Sequence, residues 1–163
     1  MRASRQHWVY ESIVALACWA APSAWAQGPA ESLCLADEPV VFACSVEGKI
    51  VSLCRSASTG QGLSYRFGRP AAIELRYPQP GQRARPAFTV KTEPLIGGGI
   101  TRVAFQRGGY TYTVYSRVGR AEDGATPEFE DGITVERRGK LLRHLRCEDG
   151  GAGFREPLGQ AVK

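Results

Sequence analysis

From residue 40 onward apolar and polar positions alternate with a period of two. No ten-residue stretch there carries the 3.6-residue rhythm of an amphipathic helix. The alternation is plainest in residues 63–78, Leu-Ser-Tyr-Arg-Phe-Gly-Arg-Pro-Ala-Ala-Ile-Glu-Leu-Arg-Tyr-Pro. Leu63, Tyr65 and Phe67 fall on one side of an extended chain, with Ser64 and Arg66 on the other. After the Gly/Pro break Ile73, Leu75 and Tyr77 resume the apolar side, with Glu74 and Arg76 between them. This pattern predicts a half-buried hairpin in which Arg66 faces Glu74. A second hairpin is predicted over residues 101–116, with Gly108-Gly109 as its turn. Phe105 then opposes Tyr112 and Val103 opposes Val114 on the apolar face, while Ala104 meets Thr113 and Arg102 meets Tyr115 on the polar one.

Two further hairpins follow from the same reasoning: residues 40–44 with 49–55 around Glu47-Gly48, and residues 132–137 with 140–147 around Arg138-Gly139. Residues 87–91 add a short strand. The remaining stretches read as connections: a small polar loop at 56–62, a surface loop at 78–86 with three prolines, a turn at 94–99 ending in three glycines, and an acidic link at 117–131. The fold class is all-β, an antiparallel sandwich or small barrel of about eight strands built from hairpins. There is neither an internal repeat nor a domain boundary.

The start of the chain changes what counts as the protein. Arg2 and Arg5, the short apolar run 13–21 and Ala24-Trp25-Ala26 form a secretory signal peptide, residues 1–26, with cleavage expected after Ala26. The apolar run is too short to span a bilayer. Ala15-Leu16-Ala17-Cys18 loosely resembles a lipobox, so lipoprotein processing at Cys18 is the alternative. The mature chain, 27–163, is then one β domain with a flexible lead-in at 27–39, ordered mainly if Cys34 is bonded, and a fraying tail at 148–163.

Loss of the leader leaves Cys34, Cys44, Cys54 and Cys147, an even number in an oxidising compartment, which reads as two disulfides. In the first hairpin Cys44 falls opposite Val51 and Cys54 opposite Val41. The two cysteines therefore face opposite sides of the ribbon, and a Cys44–Cys54 bond is disfavoured. Cys147 pairs with Cys44 or Cys54, and Cys34 takes the other. The chemistry otherwise available is thin. Without Arg2, Arg5 and Glu11, the 21 basic and 16 acidic residues become 19 and 15, scattered without a dense run. That pattern reads as a solvated surface and gives no footprint for nucleic acid.

His144 is the one histidine of the mature chain, so two-histidine metal sites and mechanisms are excluded, and the Cys clusters of a zinc site are missing. No Gly-x-Ser-x-Gly elbow or phosphate-binding loop is present. The triplet Glu-Asp-Gly recurs at 122–124, 130–132 and 148–150 without the spacing of a calcium loop, and reads as turns. No catalytic residue, cofactor or metal is assigned, and the protein is expected to act by binding. The candidate surface is Arg107, Tyr110, Tyr112, Tyr115 and Arg117 around the glycine turn, because tyrosine and arginine dominate interface energetics. A seat for a small or anionic envelope ligand, between the sheets or near Gly97-Gly98-Gly99, is the alternative, an unrecognised hydrolase the more distant one.

Taken together, Cys44, Gly48-Lys49, Val51-Ser52-Leu53-Cys54, Tyr65-Arg66-Phe67-Gly68, Glu74-Leu75 and Tyr77-Pro78 resemble a group of small exported bacterial proteins of uncharacterised function. The resemblance implies export and brings no activity with it. In its format of signal peptide, disulfides and about eight strands, the chain is also similar to periplasmic lysozyme inhibitors, which block the enzyme's cleft with a Ser/Tyr-bearing loop. Here that loop has Gly108-Gly109 in place of serine, and the mature charge is basic. The signal peptide and the even cysteine count make a periplasmic or secreted location the expectation, and the Tyr/Arg cluster makes an envelope or extracellular protein the expected partner.

Overall fold

The computed structural model describes residues 31–55, 62–79, 88–150 and 152–158. The signal segment with its cleavage site, most of the 56–62 loop and the proline-rich 80–86 stretch lie outside the described residues. Nine strands form two antiparallel sheets. The first holds β1 (Val40–Val46), β2 (Lys49–Arg55), β3 (Leu63–Arg69) and β4 (Ala72–Tyr77). The second holds β5 (Phe88–Leu95), β6 (Gly98–Arg107), β7 (Tyr110–Arg120), β8 (Pro127–Arg137) and β9 (Lys140–Arg146). Each sheet is a meander in chain order, so the sandwich alternative holds and the barrel does not.

The turns follow from backbone sterics. Glu47-Gly48, Gly108-Gly109 and Arg138-Gly139 all have both central residues at positive φ, the conformation whose twist suits a two-residue hairpin. The β6–β7 register is the one the alternation predicts, with Phe105 opposite Tyr112, Val103 opposite Val114 and Arg102 opposite Tyr115. Strand lengths depart from expectation on both sides of it. β5 runs on through Pro94 to Leu95 against Gly98, so the glycine-rich turn is tight. The acidic link is mostly ladder: Arg117 to Arg120 pair with Pro127 to Glu130, and only residues 121–126 turn. Asp123 closes that turn, accepting from the N–H groups of Ala125 and Thr126 at 2.8 Å each.

The core lies between the sheets around Phe105. Its ring stacks on Tyr77 at 4.5 Å and on Tyr112 at 5.1 Å, with Tyr65 tilted at 4.9 Å. Phe42, Val51, Leu53 and Leu63 from the first sheet and Val103, Val114 and Ile133 from the second complete it. Such aromatic pairs add about 0.5–1.5 kcal/mol each beyond burial.

The expected Arg66–Glu74 pair does not form. A bulge at Glu74 puts Arg76 opposite Arg66, and Glu74 binds Lys49 at 2.7 Å. Arg66 is instead buried, because the lead-in forms a third layer on the outer face of the first sheet. There Arg66 forms a bidentate ion pair with Glu38, and its Nη1 lies 3.3 Å from the Leu33 carbonyl. Leu33 N–H donates to the buried Ser52 hydroxyl at 2.9 Å. This cover explains why β1 and β2 read as near-continuous apolar runs: both faces of the sheet are dry there.

The cysteines tie the layers. Cys44 opposes Val51 and faces the core, where it bonds Cys147 at the end of β9. Cys54 faces outward and bonds Cys34 of the lead-in. Cys54 pairs with Val40 where Val41 was expected, because a bulge at Val41 shifts the register, but the two cysteines still face opposite ways. The described part of the tail is docked where fraying was expected. Phe154 packs on Phe42 at 5.3 Å, Arg155 N–H donates to the Val41 carbonyl at 2.9 Å, and Glu156 pairs with Arg55.

Candidate functional site

The five residues singled out from sequence divide between the two faces of the second sheet. Arg107, Tyr110 and Tyr112 occupy the inner face at the end that carries the Gly108-Gly109 turn, while Tyr115 and Arg117 occupy the outer face. Tyr112 sits one rung deeper than Tyr110, stacked on Phe105, and anchors the end to the core. Tyr110 is half-buried at the rim.

Register adds residues that sequence reasoning did not bring in. Arg107 opposes Tyr110, Tyr110 opposes Arg137, and Arg137 opposes Lys140, so one rung reads Arg-Tyr-Arg-Lys across four strands. At the usual strand spacing it spans about 14 Å. The Arg137 guanidinium lies over the Tyr110 ring at 5.1 Å, which holds both side chains in place. Arg107 donates to the Arg76 carbonyl of β4 at 3.4 Å, bringing the edge of the first sheet alongside. Arg138 projects from the tip of the β8–β9 turn at a φ of 51°, where Asn or Gly would be the easier residue. Among the described residues none of Arg76, Arg107, Arg137, Arg138 and Lys140 has a carboxylate within ion-pair distance. Two neighbouring cations do have carboxylate partners: Lys49 pairs with Glu74 and Arg143 with Glu47. A groove of about 350 Å³ between Ile73, Glu74, Arg76, Gln79 and Arg107 adjoins the row.

The outer face carries a different group. Tyr115 is only 5% exposed and opposes Gly132, whose missing side chain leaves the phenol room to reach across β8. Its hydroxyl donates to Glu130 Oε1 at 2.7 Å and lies 2.6 Å from His144 Nε2. Burial, then the Glu130 hydrogen bond, pushes the phenol above its ordinary pKa. Arg146 Nε holds the second Glu130 oxygen at 3.2 Å, and Arg117 pairs with Glu128 at 3.1 Å. Placing His144 mid-strand is right for its position, but its partner Tyr115 is two strands away and is set by the sheet register.

The Glu-Asp-Gly triplets have three different roles. The first and last, 122–124 and 148–150, are the turns they resemble. The middle triplet is mid-strand, where Glu130 meets Tyr115 and Asp131 accepts from Gly153 N–H at 2.7 Å. In the last, Glu148 and Asp149 accept from the N–H groups of Glu47 and Ser45, securing the first turn.

Toward the far end, the three central strands of the second sheet, β6, β7 and β8, run 10 or 11 residues against 6 or 7 in the first sheet. Phe129 on the inner face is there 66% exposed, beside a groove of about 450 Å³ that Asp131 and Gly153 help to line. Gly97-Gly98-Gly99 belong to the neighbouring tight turn and line neither groove. Among the described residues, the groups of three His, Cys, Asp or Glu close enough to share an ion, Cys34–Glu38–Cys54 and Cys44–Cys147–Asp149, have committed their sulfurs to the disulfides. No described helix is long and apolar enough to cross a membrane. Two disulfides are the mark of a non-reducing, extracytoplasmic environment. The chain matches no protein-family model, no curated protein and no solved structure.

Proposed function

We propose that this chain is a non-enzymatic binding module, periplasmic or secreted, that docks an acidic protein surface on the hairpin end of its second sheet. The observation that carries the reading is the Arg107–Tyr110–Arg137–Lys140 rung, a row of cations around a clamped tyrosine with no carboxylate of its own among the described residues. Arginine and tyrosine on a rigid support give contact area at little entropic cost, and unpaired cations steer an acidic partner to it. The same charge argues against a basic lysozyme as target. A second reading, a small anionic ligand, is favoured by the groove beside Arg76 and Arg107.

The test is capture from an envelope or extracellular extract on immobilised protein, with basic lysozyme as the control. The captured partner is then purified and its affinity remeasured. The expected result is an acidic protein whose binding weakens at least tenfold with Tyr110→Ala and is lost with Arg137→Glu/Lys140→Glu, the variants melting like the parent. Equal binding by parent and charge-reversed protein refutes the reading. Specific retention of an anionic polysaccharide or a small anion instead of a protein overturns it as well.

A further inference from the structure

We propose that Tyr115, Glu130 and His144 form a copper(II) site on the outer face of the second sheet. The three residues come from three adjacent strands and share one face, since Tyr115 opposes Gly132, His144 opposes Thr134, and Glu130 lies two residues before Gly132. Gly132 is what permits the convergence. A Cβ at that position would lie 2.7 Å from the Tyr115 hydroxyl and 2.4 Å from the Leu145 carbonyl.

The donor atoms make a triangle that a metal ion fits. Tyr115 Oη is 2.7 Å from Glu130 Oε1 and 2.6 Å from His144 Nε2, and those two are 3.8 Å from each other. A point just above the plane of these atoms is about 2.1 Å from all three, the ordinary bond length from a first-row ion to imidazole nitrogen or carboxylate oxygen. Imidazole with two oxygen donors and no thiolate is a set that copper(II) binds most strongly among the divalent first-row ions, and one that calcium and magnesium leave alone. The carboxylate is already oriented, because Arg146 holds Oε2 and leaves Oε1 to the ion. His144 is 36% exposed, so solvent reaches the site and water completes the coordination. On binding, the Tyr115 O–H bond breaks, the phenolate oxygen bonds to copper and the proton passes to solvent. The metal keeps its charge and no electron moves.

The experiment titrates the full chain with copper(II) chloride against a glycine competitor, following heat and the visible spectrum. The expected result is one ion per chain with a phenolate-to-copper charge-transfer band. Tyr115→Phe should abolish the band, and His144→Ala and Glu130→Gln should each weaken binding at least tenfold. His144 lies on the surface, so His144→Ala tests the site even where Tyr115→Phe perturbs the fold. Equal affinity in parent and His144→Ala, absence of the band in the parent, or tighter binding of zinc than of copper would each overturn the assignment.

Discussion

Removing the charge of Glu38 should cost this protein about 3 kcal/mol, a large effect for one exchange of an oxygen for a nitrogen. The Arg66 and Glu38 side chains are 7% and 10% exposed, which takes the pair out of the class of surface salt bridges, worth at most about 1 kcal/mol. Glu38→Gln leaves the Arg66 guanidinium under the lead-in with the Leu33 carbonyl and the Cys54 sulfur as neighbours and no counter-charge. The low end of the range of about 3–5 kcal/mol for an orphaned buried charge applies, because the amide that replaces the carboxylate retains an oxygen that can accept from Leu35 N–H. The melting temperature should fall by about 10 °C.

The double variant Arg66→Met/Glu38→Gln should recover most of the loss. It removes the charge together with the Arg66 Nε, a buried donor without a partner. The assay is urea unfolding of the oxidised protein through the full double-mutant cycle, with m-values checked for constancy. A coupling energy of at least about 2 kcal/mol is expected. pH gives an independent check. The Arg66 hydrogen bond holds the Glu38 carboxyl below its ordinary pKa, so the unfolded chain takes up the proton at higher pH than the folded one. The stabilisation is therefore complete above about pH 5 and is lost as pH falls through the lowered folded value. In Glu38→Gln that part of the acid limb should flatten. A single-variant loss below about 1 kcal/mol, or a double variant as unstable as the sum of the singles, would refute the claim that the lead-in is a true third layer.

Two further outcomes test the architecture. Replacing Cys44 and Cys147 by alanine opens a separation of 103 residues and should cost more than replacing Cys34 and Cys54, separated by 20, by about 1–1.5 kcal/mol in the chain-entropy model; equal losses on denaturant unfolding would contradict it. Gly132→Ala should destabilise by about 2 kcal/mol or more, since its Cβ meets the Leu145 carbonyl, whereas Gly139→Ala, with nothing within 4 Å and only its positive φ to strain, should cost about 1 kcal/mol; thermal melts that reverse this order would show the Tyr115–Gly132 crossing to be misplaced.

Much of this molecule was readable along the chain because its ladders are local. In a meander each strand pairs with the next, so alternation and turn residues are enough to set the Phe105–Tyr112 and Val103–Val114 rungs and to turn Cys44 away from Cys54. The readings that failed share one cause. Arg66 looks like a solvent-facing residue because alternation reports two faces and cannot report that a lead-in covers one of them. Residues 117–131 look like a loop because Gly119, Pro127 and the acidic residues depress strand propensity, and pairing with the neighbouring strand overrides it.

The candidate site divides along the same line. Arg107, Tyr110 and Tyr112 are neighbours in sequence and remain neighbours in space. Arg137 and Lys140 join them, and Tyr115 leaves them for His144 and Glu130, only through the β7–β8 and β8–β9 registers. Local alternation thus determined the strands, the turns and the facing of each side chain. The stacking of layers and the meeting of distant strands decided which of those faces stay wet and which charges find partners, because burial belongs to whatever the rest of the chain lays on top.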